Sequence, residues 1–441
     1  MPSGGAPAGL RPRTGNTIRQ RRQALIDHTR GVNGLDPRVA ARYNVRLLLQ
    51  NPEGGLRDAV AQLGIPAYAL MAIARYGAVE ALALQGLSSD QARALEQSVS
   101  GAGGAVLTSM NGERAVVLAP LMVAGELPAR LATDPLTEDV GAAIAAALMA
   151  RGNPAPLNAG GHLLEFGRRT LVMGIVNVTP DSFSGDGVGS NVGAAVERAL
   201  ALIEAGADVI DIGGESTRPN STPISVAEEQ DRVLPVLSAL SSRSTVPLSI
   251  DTRKAAVAAA AIEAGAAMVN DVWGLQGDPD MAAAVAAHSN IGLVVMHNQR
   301  GVDYADLMAD ITLWLRRSLV VASDAGIALE RVVIDPGFGF GKTPAHNLEL
   351  IRRLGELRGI GRPILVGPSR KSTIGFLTGG LPPDERVEGG IALATLAAGA
   401  GAHMVRVHDV GETVRALKVA DAVIRGTPEH ILTLPAPGPT G

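Results

Sequence analysis

The chain has 441 residues, 46% hydrophobic and only 2% aromatic, with a formal net charge of −4. That length exceeds one average domain but accommodates a barrel of about 250 residues plus a smaller unit, its core filled by Ala, Val and Leu. A pI near 6.1 with no basic domain excludes nucleic acid as the main partner, and the lack of cysteine excludes disulfides and thiolate chemistry.

Residues 1–25 are Arg-rich, carry no acid and contain no apolar stretch; they read as a flexible tail rather than a leader. No apolar run approaches the roughly 20 residues of a membrane span, and the cysteine-free chain fits the reducing cytoplasm. Residues 26–150 form an expected smaller, helix-rich α/β domain. A helical pattern runs over 55–86, interrupted at Pro66, and a second helix follows Ser88-Ser89-Asp90. Two strands, 105–108 and 115–118, flank the turn pair Asn111-Gly112. An alanine-rich helix over 140–149 leads into a linker, 151–160, containing Asn153-Pro154-Ala155-Pro156. Glu80, Asp90 and Glu96 read as solvated charges, and this half carries no convincing catalytic cluster.

The rest, 161–426, reads as a (β/α)8 TIM barrel, followed by a second flexible tail, 427–441. Residues 162–169 suggest a short hairpin closing the barrel floor. Eight apolar runs then alternate with helical patterns over 192–205, 226–240, 255–264, 281–288, 306–324, 347–357, 384–398 and 411–424. The repeated Glu-Ala-Gly-Ala at 204–207 and 263–266 marks helix-to-strand corners where glycine supplies a left-handed stop.

Each apolar run ends on polar residues, and in such a barrel catalysis sits at the carboxyl ends of the strands. Asn177 ends the first run, before a long glycine-bearing segment that suits a lid. Its amide oxygen suits a single protein ligand to Mg²⁺, or equally a bond to loop backbone. Ser216-Thr217-Arg218-Pro219 follows two glycines and suits an anion, though an ordinary turn has the same composition. Asp251, Asn270 and Asp335 each leave a buried strand, where an unpaired carboxylate is costly. Together they match a flat heterocycle rich in N–H donors. The run from Asp335 to Lys342 lacks phosphate-loop spacing and reads as a tight exit placing Phe340 against a ring. Ser369-Arg370-Lys371-Ser372 and Arg406-Val407-His408 supply positive charge. His297 is a weaker candidate, with a packed structural role at least as well supported.

These segments together resemble the dihydropteroate synthase family. The resemblance spans about 163–426 and rests on the ordered motifs at 177–183, 215–219, 249–253, 269–272, 294–297, 335–342, 367–372 and 405–410. It implies condensation of 7,8-dihydropterin-6-ylmethyl diphosphate with 4-aminobenzoate, releasing diphosphate, in a Mg²⁺-dependent cytoplasmic homodimer. It implies that Asp251, Asn270, Asp335 and Lys371 hold the pterin and that Asn177, Arg218, Arg406 and His408 face the diphosphate, with Mg²⁺ on Asn177. Thr217, Pro219, Phe340 and Ser372 form the aminobenzoate pocket, and Asp251, Lys371 and Arg218 carry the chemistry. Two departures stand out: Gly185 stands where the family usually has Asp, with Asp186 following, and Asn220 replaces a common Gly. The rival readings are a methyltetrahydrofolate-type methyltransferase barrel, which needs no diphosphate site, and a non-catalytic pterin-binding module.

Overall fold

The computed structural model describes residues 79–150, 152–179, 192–215 and 222–426. The first unit is a three-stranded antiparallel sheet, ordered β1-β3-β2, from β1 (Val79–Gln85), β2 (Ala105–Thr108) and β3 (Arg114–Pro120). Helices α1 (Ser89–Gly101), α2 (Leu121–Leu131) and α3 (Glu138–Met149) belong to the same unit. The hairpin β2–β3 and helices α1 and α3 lie where the sequence places them. Ser88 caps α1 in a reciprocal pair with Gln91. The helical pattern over 55–86 does not extend to its end: Val79–Gln85 is a strand, paired along its length with β3. Its alanines and leucines favour a helix locally, but pairing and packing of Leu82 and Leu84 on the core prevail. Residues 55–78 lie outside the described residues. Helix α2 carried no clear signal because Gly125 and Pro128 interrupt it. Leu95, Val99, Val117, Leu127 and Ile144 form a core separate from that of the barrel.

The expected hairpin exists but is displaced. Strand β4 (Leu157–Ala159) pairs with β5 (His162–Leu164) across Gly160-Gly161, both at positive φ, so part of the expected linker belongs to the barrel. Leu157, Ala159, Leu164 and Phe166 pack against Met173, Met268, Val294, Val333, Leu365 and Met404. The hairpin thus plugs the amino-terminal end of the barrel with apolar side chains.

Eight parallel strands follow: β6 (Leu171–Asn177), β7 (Val209–Gly213), β8 (Leu248–Asp251), β9 (Met268–Asp271), β10 (Gly292–Met296), β11 (Val332–Asp335), β12 (Leu365–Val366) and β13 (Met404–Val407). Their hydrogen-bonded order runs β11-β10-β9-β8-β7-β6-β13-β12, and a parallel bridge between Ile334 and Ile364 closes the ring. Outside lie α4 (Val192–Glu204), α5 (Val226–Ser241), α6 (Ala255–Glu263), α7 (Met281–Ala286), α8 (Leu307–Asp324), α9 (Pro344–Arg352), α10 (Ser372–Leu377), α11 (Val387–Gly399) and α12 (Val410–Arg425). The expected helices over 347–357 and 384–398 each divide into an α segment and a 3₁₀ turn, 354–360 and 383–385. Gly206 and Gly265 have φ of 102° and 108°, the left-handed stops expected at the two repeated corners.

Strand alternation sorts the side chains. Ile210, Ile212, Leu248, Ile250, Val269, Val332, Ile334, Val405 and Val407 join the cluster shared with the helices. Met173, Val209, Met268, Val294, Val333, Leu365 and Met404 fill the barrel's lower interior. Two residues further along, on the same inward face, come Asp211, Asn270, Asp335 and Arg406. The polar site therefore rests on an apolar floor.

Candidate active site

A single oxygen organises one side of the barrel mouth. Asp211, fully buried in β7, accepts through Oδ2 from Asn270 Nδ2 at 2.9 Å and from Arg406 Nε at 2.6 Å. Arg406 Nη2 reaches across to Asp251 Oδ2 at 2.5 Å. Strands β7, β8, β9 and β13 are thereby tied together by charge-assisted bonds. Gly213 lies between Asp251 and Asn177: a Cβ there would stand 3.5 Å from the Asp251 Cβ and 3.8 Å from Asn177 Oδ1, in ordinary contact with both.

The opposite side is built by the exit of β11. Asp335 is buried, and its Oδ1 accepts from the Gly337 N–H at 2.7 Å. Gly337, Gly339 and Gly341 all have positive φ, turning the chain so that Phe340 faces back. Lys371 Nζ stands 3.9 Å from the Phe340 ring centre, a cation–π contact. Lys342 is also buried, donating to His297 Nδ1 at 2.9 Å and to the Phe340 carbonyl at 3.1 Å. His297 is thus engaged inside the wall, consistent with its packed alternative. Beyond Lys371, Ser369 Oγ meets His408 Nδ1 at 3.0 Å, and Arg370 pairs with Asp409.

Burial dominates the electrostatics. It pushes Asp335 up to about 6, opposed by the Gly337 bond and the Lys371 charge. Asp251 is raised in the same way; Arg406 opposes the shift and Asp211 adds to it. Burial lowers Lys371 to about 8, with Arg406 reinforcing and Asp335 and Asp251 opposing the shift. Lys342 falls to about 7, chiefly through burial, and His297 to about 3 through burial and then Lys342. Acids poised to accept protons beside amines poised to release them are typical of functional clefts.

The structure therefore gathers Asn177, Asp251, Asn270, Asp335, Phe340, Lys371, Arg406 and His408 at one end of the barrel. Ser372 opens α10 beside Lys371 and is exposed. Thr217, Arg218 and Pro219, and Asp186 of the first loop, lie outside the described residues. Arg406 differs from the expectation in its orientation: it grips two carboxylates, leaving the rest of its five N–H donors for a ligand. Asp211 and Lys342 carried no assigned role in the sequence reading. Asp211 was detectable, since Val209, Asp211 and Gly213 alternate on one face of an otherwise apolar strand. Lys342 was seen only as a false phosphate-loop lysine; its partner, His297, lies 45 positions away. Among the described residues no helix is long and apolar enough to cross a membrane, and no group of three His, Asp or Glu side chains is arranged to hold a metal ion.

The model of the family described as "Pterin binding enzyme" matches residues 173–408. The dihydropteroate synthase of Clostridium beijerinckii is 45% identical over 267 residues, 60% of this chain and 98% of the relative. That of Escherichia coli strain K12 is 43% identical, over 57% of this chain and 91% of its own length. Among solved structures, Xanthomonas albilineans dihydropteroate synthase with 4-aminobenzoic acid is 45% identical with a TM-score of 0.59, covering 64% of this chain and all of the other. Every relative named is matched over nearly its full length, and the matched family segment coincides with the barrel and its polar mouth. The chain belongs to the pterin binding enzymes and, among them, to the dihydropteroate synthases.

Proposed function

We propose that the barrel mouth joins 7,8-dihydropterin-6-ylmethyl diphosphate to 4-aminobenzoate, forming 7,8-dihydropteroate and diphosphate. The observation supporting this most strongly is the grouping of acceptors with cations at one end of the barrel: Asp251, Asn270 and Asp335 with Lys371 and Arg406. Asp251, Asn270, Asp335 and Lys371 hold the pterin, whose ring edge is rich in N–H donors. The amine lone pair attacks the exocyclic methylene carbon as its C–O bond breaks. Diphosphate leaves with the bonding pair, and the new ammonium sheds a proton. No protein nucleophile is needed, so the gain comes from placement and charge. Asp251 stabilises cationic character on the ring as the bond breaks, and Lys371 and Arg218 complement the charge passing to the leaving group.

Asn177, Arg218, Arg406 and His408 are assigned to the diphosphate. Asn177, a neutral amide at a strand end, would hold Mg²⁺ through its side-chain oxygen, and the bound ion would supply positive charge beside the leaving group. Thr217, Pro219, Phe340 and Ser372 are assigned to the aminobenzoate. A diphosphate ester does not cross a bilayer unaided, which supports a location in the compartment where that substrate is made, read as the cytoplasm. Phe376, Leu396, Val419 and Val423, exposed on helices α10, α11 and α12, support a homodimer. Sulfonamide analogues of 4-aminobenzoate test the reading: competition against the arylamine alone is expected, and indifference to sulfonamides would contradict it.

A further inference from the structure

Through one atom Asp211 touches Asn270 of the pterin pocket and Arg406 of the diphosphate side, and nothing in the proposed reaction uses it directly. We infer that Asp211 is the positioning residue that sets the hydrogen-bonding polarity of that pocket. It does so by fixing which end of the Asn270 amide is offered to the ligand. The inference rests on the pterin reading of the site.

A carboxylate bound to a guanidinium only accepts hydrogen bonds. The Asn270 group facing Asp211 is accordingly its NH₂, at 2.9 Å, leaving the amide oxygen as the atom available to a ligand. Asp251, Asp335 and Asn270 then all present acceptors, matching a ring edge of N–H donors and rejecting an edge of ring nitrogens and carbonyls. With the amide reversed, an NH₂ would meet an N–H, and a buried donor would be left without an acceptor. The same Asp211 oxygen takes the Arg406 Nε bond. Asp211 Oδ1 is buried without a donor among the described residues, so Asn270 and Arg406 both depend on Oδ2. Asp211 lies within β7, and its two partners come from β9 and β13. It therefore coordinates side chains that local backbone alone would not orient.

The test uses the full chain, with calorimetric titration of 6-hydroxymethyl-7,8-dihydropterin and KM values for both substrates. Asp211→Ala is expected to weaken pterin binding and raise the pterin KM at least about tenfold, with the 4-aminobenzoate KM within about threefold of the parent. Asn270→Asp places two carboxylates together and loses pterin binding. The exchange Asp211→Asn with Asn270→Asp restores a donor facing an acceptor and recovers at least about tenfold of that loss. A merely structural role would give neither the split between the two KM values nor the rescue. Pterin binding by Asp211→Ala within about threefold of the parent would overturn the inference. So would a folded exchange variant no better than Asn270→Asp, and the exchange decides if Asp211→Ala does not fold. A parent that binds no pterin removes the pocket reading and this role together. A parent that binds beside unaffected variants removes the role of Asp211 alone.

Discussion

Lys371 is set between two demands. Its ammonium must stay charged to oppose Asp335 and Asp251, yet burial lowers it to about 8, while burial raises Asp335 to about 6. The competent state has the acids ionised and the amine protonated. Activity therefore rises as pH passes upward from about 6, where Asp335 ionises, to about 7, where Asp251 does, and falls as it passes through about 8. The prediction is a bell-shaped kcat/KM for the pterin substrate with its maximum between the last two values, measured over pH 5–10. Lys371→Arg should move the alkaline limb upward, because guanidinium does not titrate there; an unchanged limb would exclude Lys371 as its source. Lys371→Ala should lower kcat/KM by at least about 100-fold with an unaltered melting curve. The acids were legible in the sequence because a carboxylate ending a buried strand has few cheap explanations, and Lys371 because it follows the strand exit Val366-Gly367-Pro368. Asp211 was less legible: it sits inside the strand, and its partners lie 59 and 195 positions away.

At the scale of elements, the turn after β11 shows how the backbone delivers these groups. A Cβ on Gly337 would come 1.9 Å from the His297 carbonyl oxygen, and its φ of 72° disfavours any side chain. Backbone meets backbone there, so no side chain can yield. Gly337→Ala is expected to cost at least about 2 kcal/mol of stability and to displace Asp335. Chemical denaturation and pterin titration check both effects, and parental stability would refute the close-approach argument. The eight strands and all their helices but the six-residue α10 were legible from apolar runs and their period. The displaced hairpin was not, because Leu157-Asn158-Ala159 follows two prolines and resembles linker until it pairs with His162–Leu164. Strand β1 was missed for a related reason: its alternation of small and large apolar residues gains meaning only against β3.

The whole molecule combines a barrel with a separately cored unit over residues 79–150. Relatives that carry the reaction are matched over 91–98% of their own length by about three-fifths of this chain. The barrel with its plug hairpin should therefore suffice. A truncated chain beginning at Asn153 is predicted to keep turnover within about threefold of the full chain; loss of turnover in a folded truncation would show that the first unit contributes to catalysis. The central claim, that scattered strand-end side chains form one two-substrate site, is tested most directly by diphosphate release from purified full-length protein with Mg²⁺. Release equimolar with dihydropteroate is expected when both dihydropterin diphosphate and 4-aminobenzoate are present, and background release with either alone. Equal release without the arylamine, or none with both, would contradict that claim.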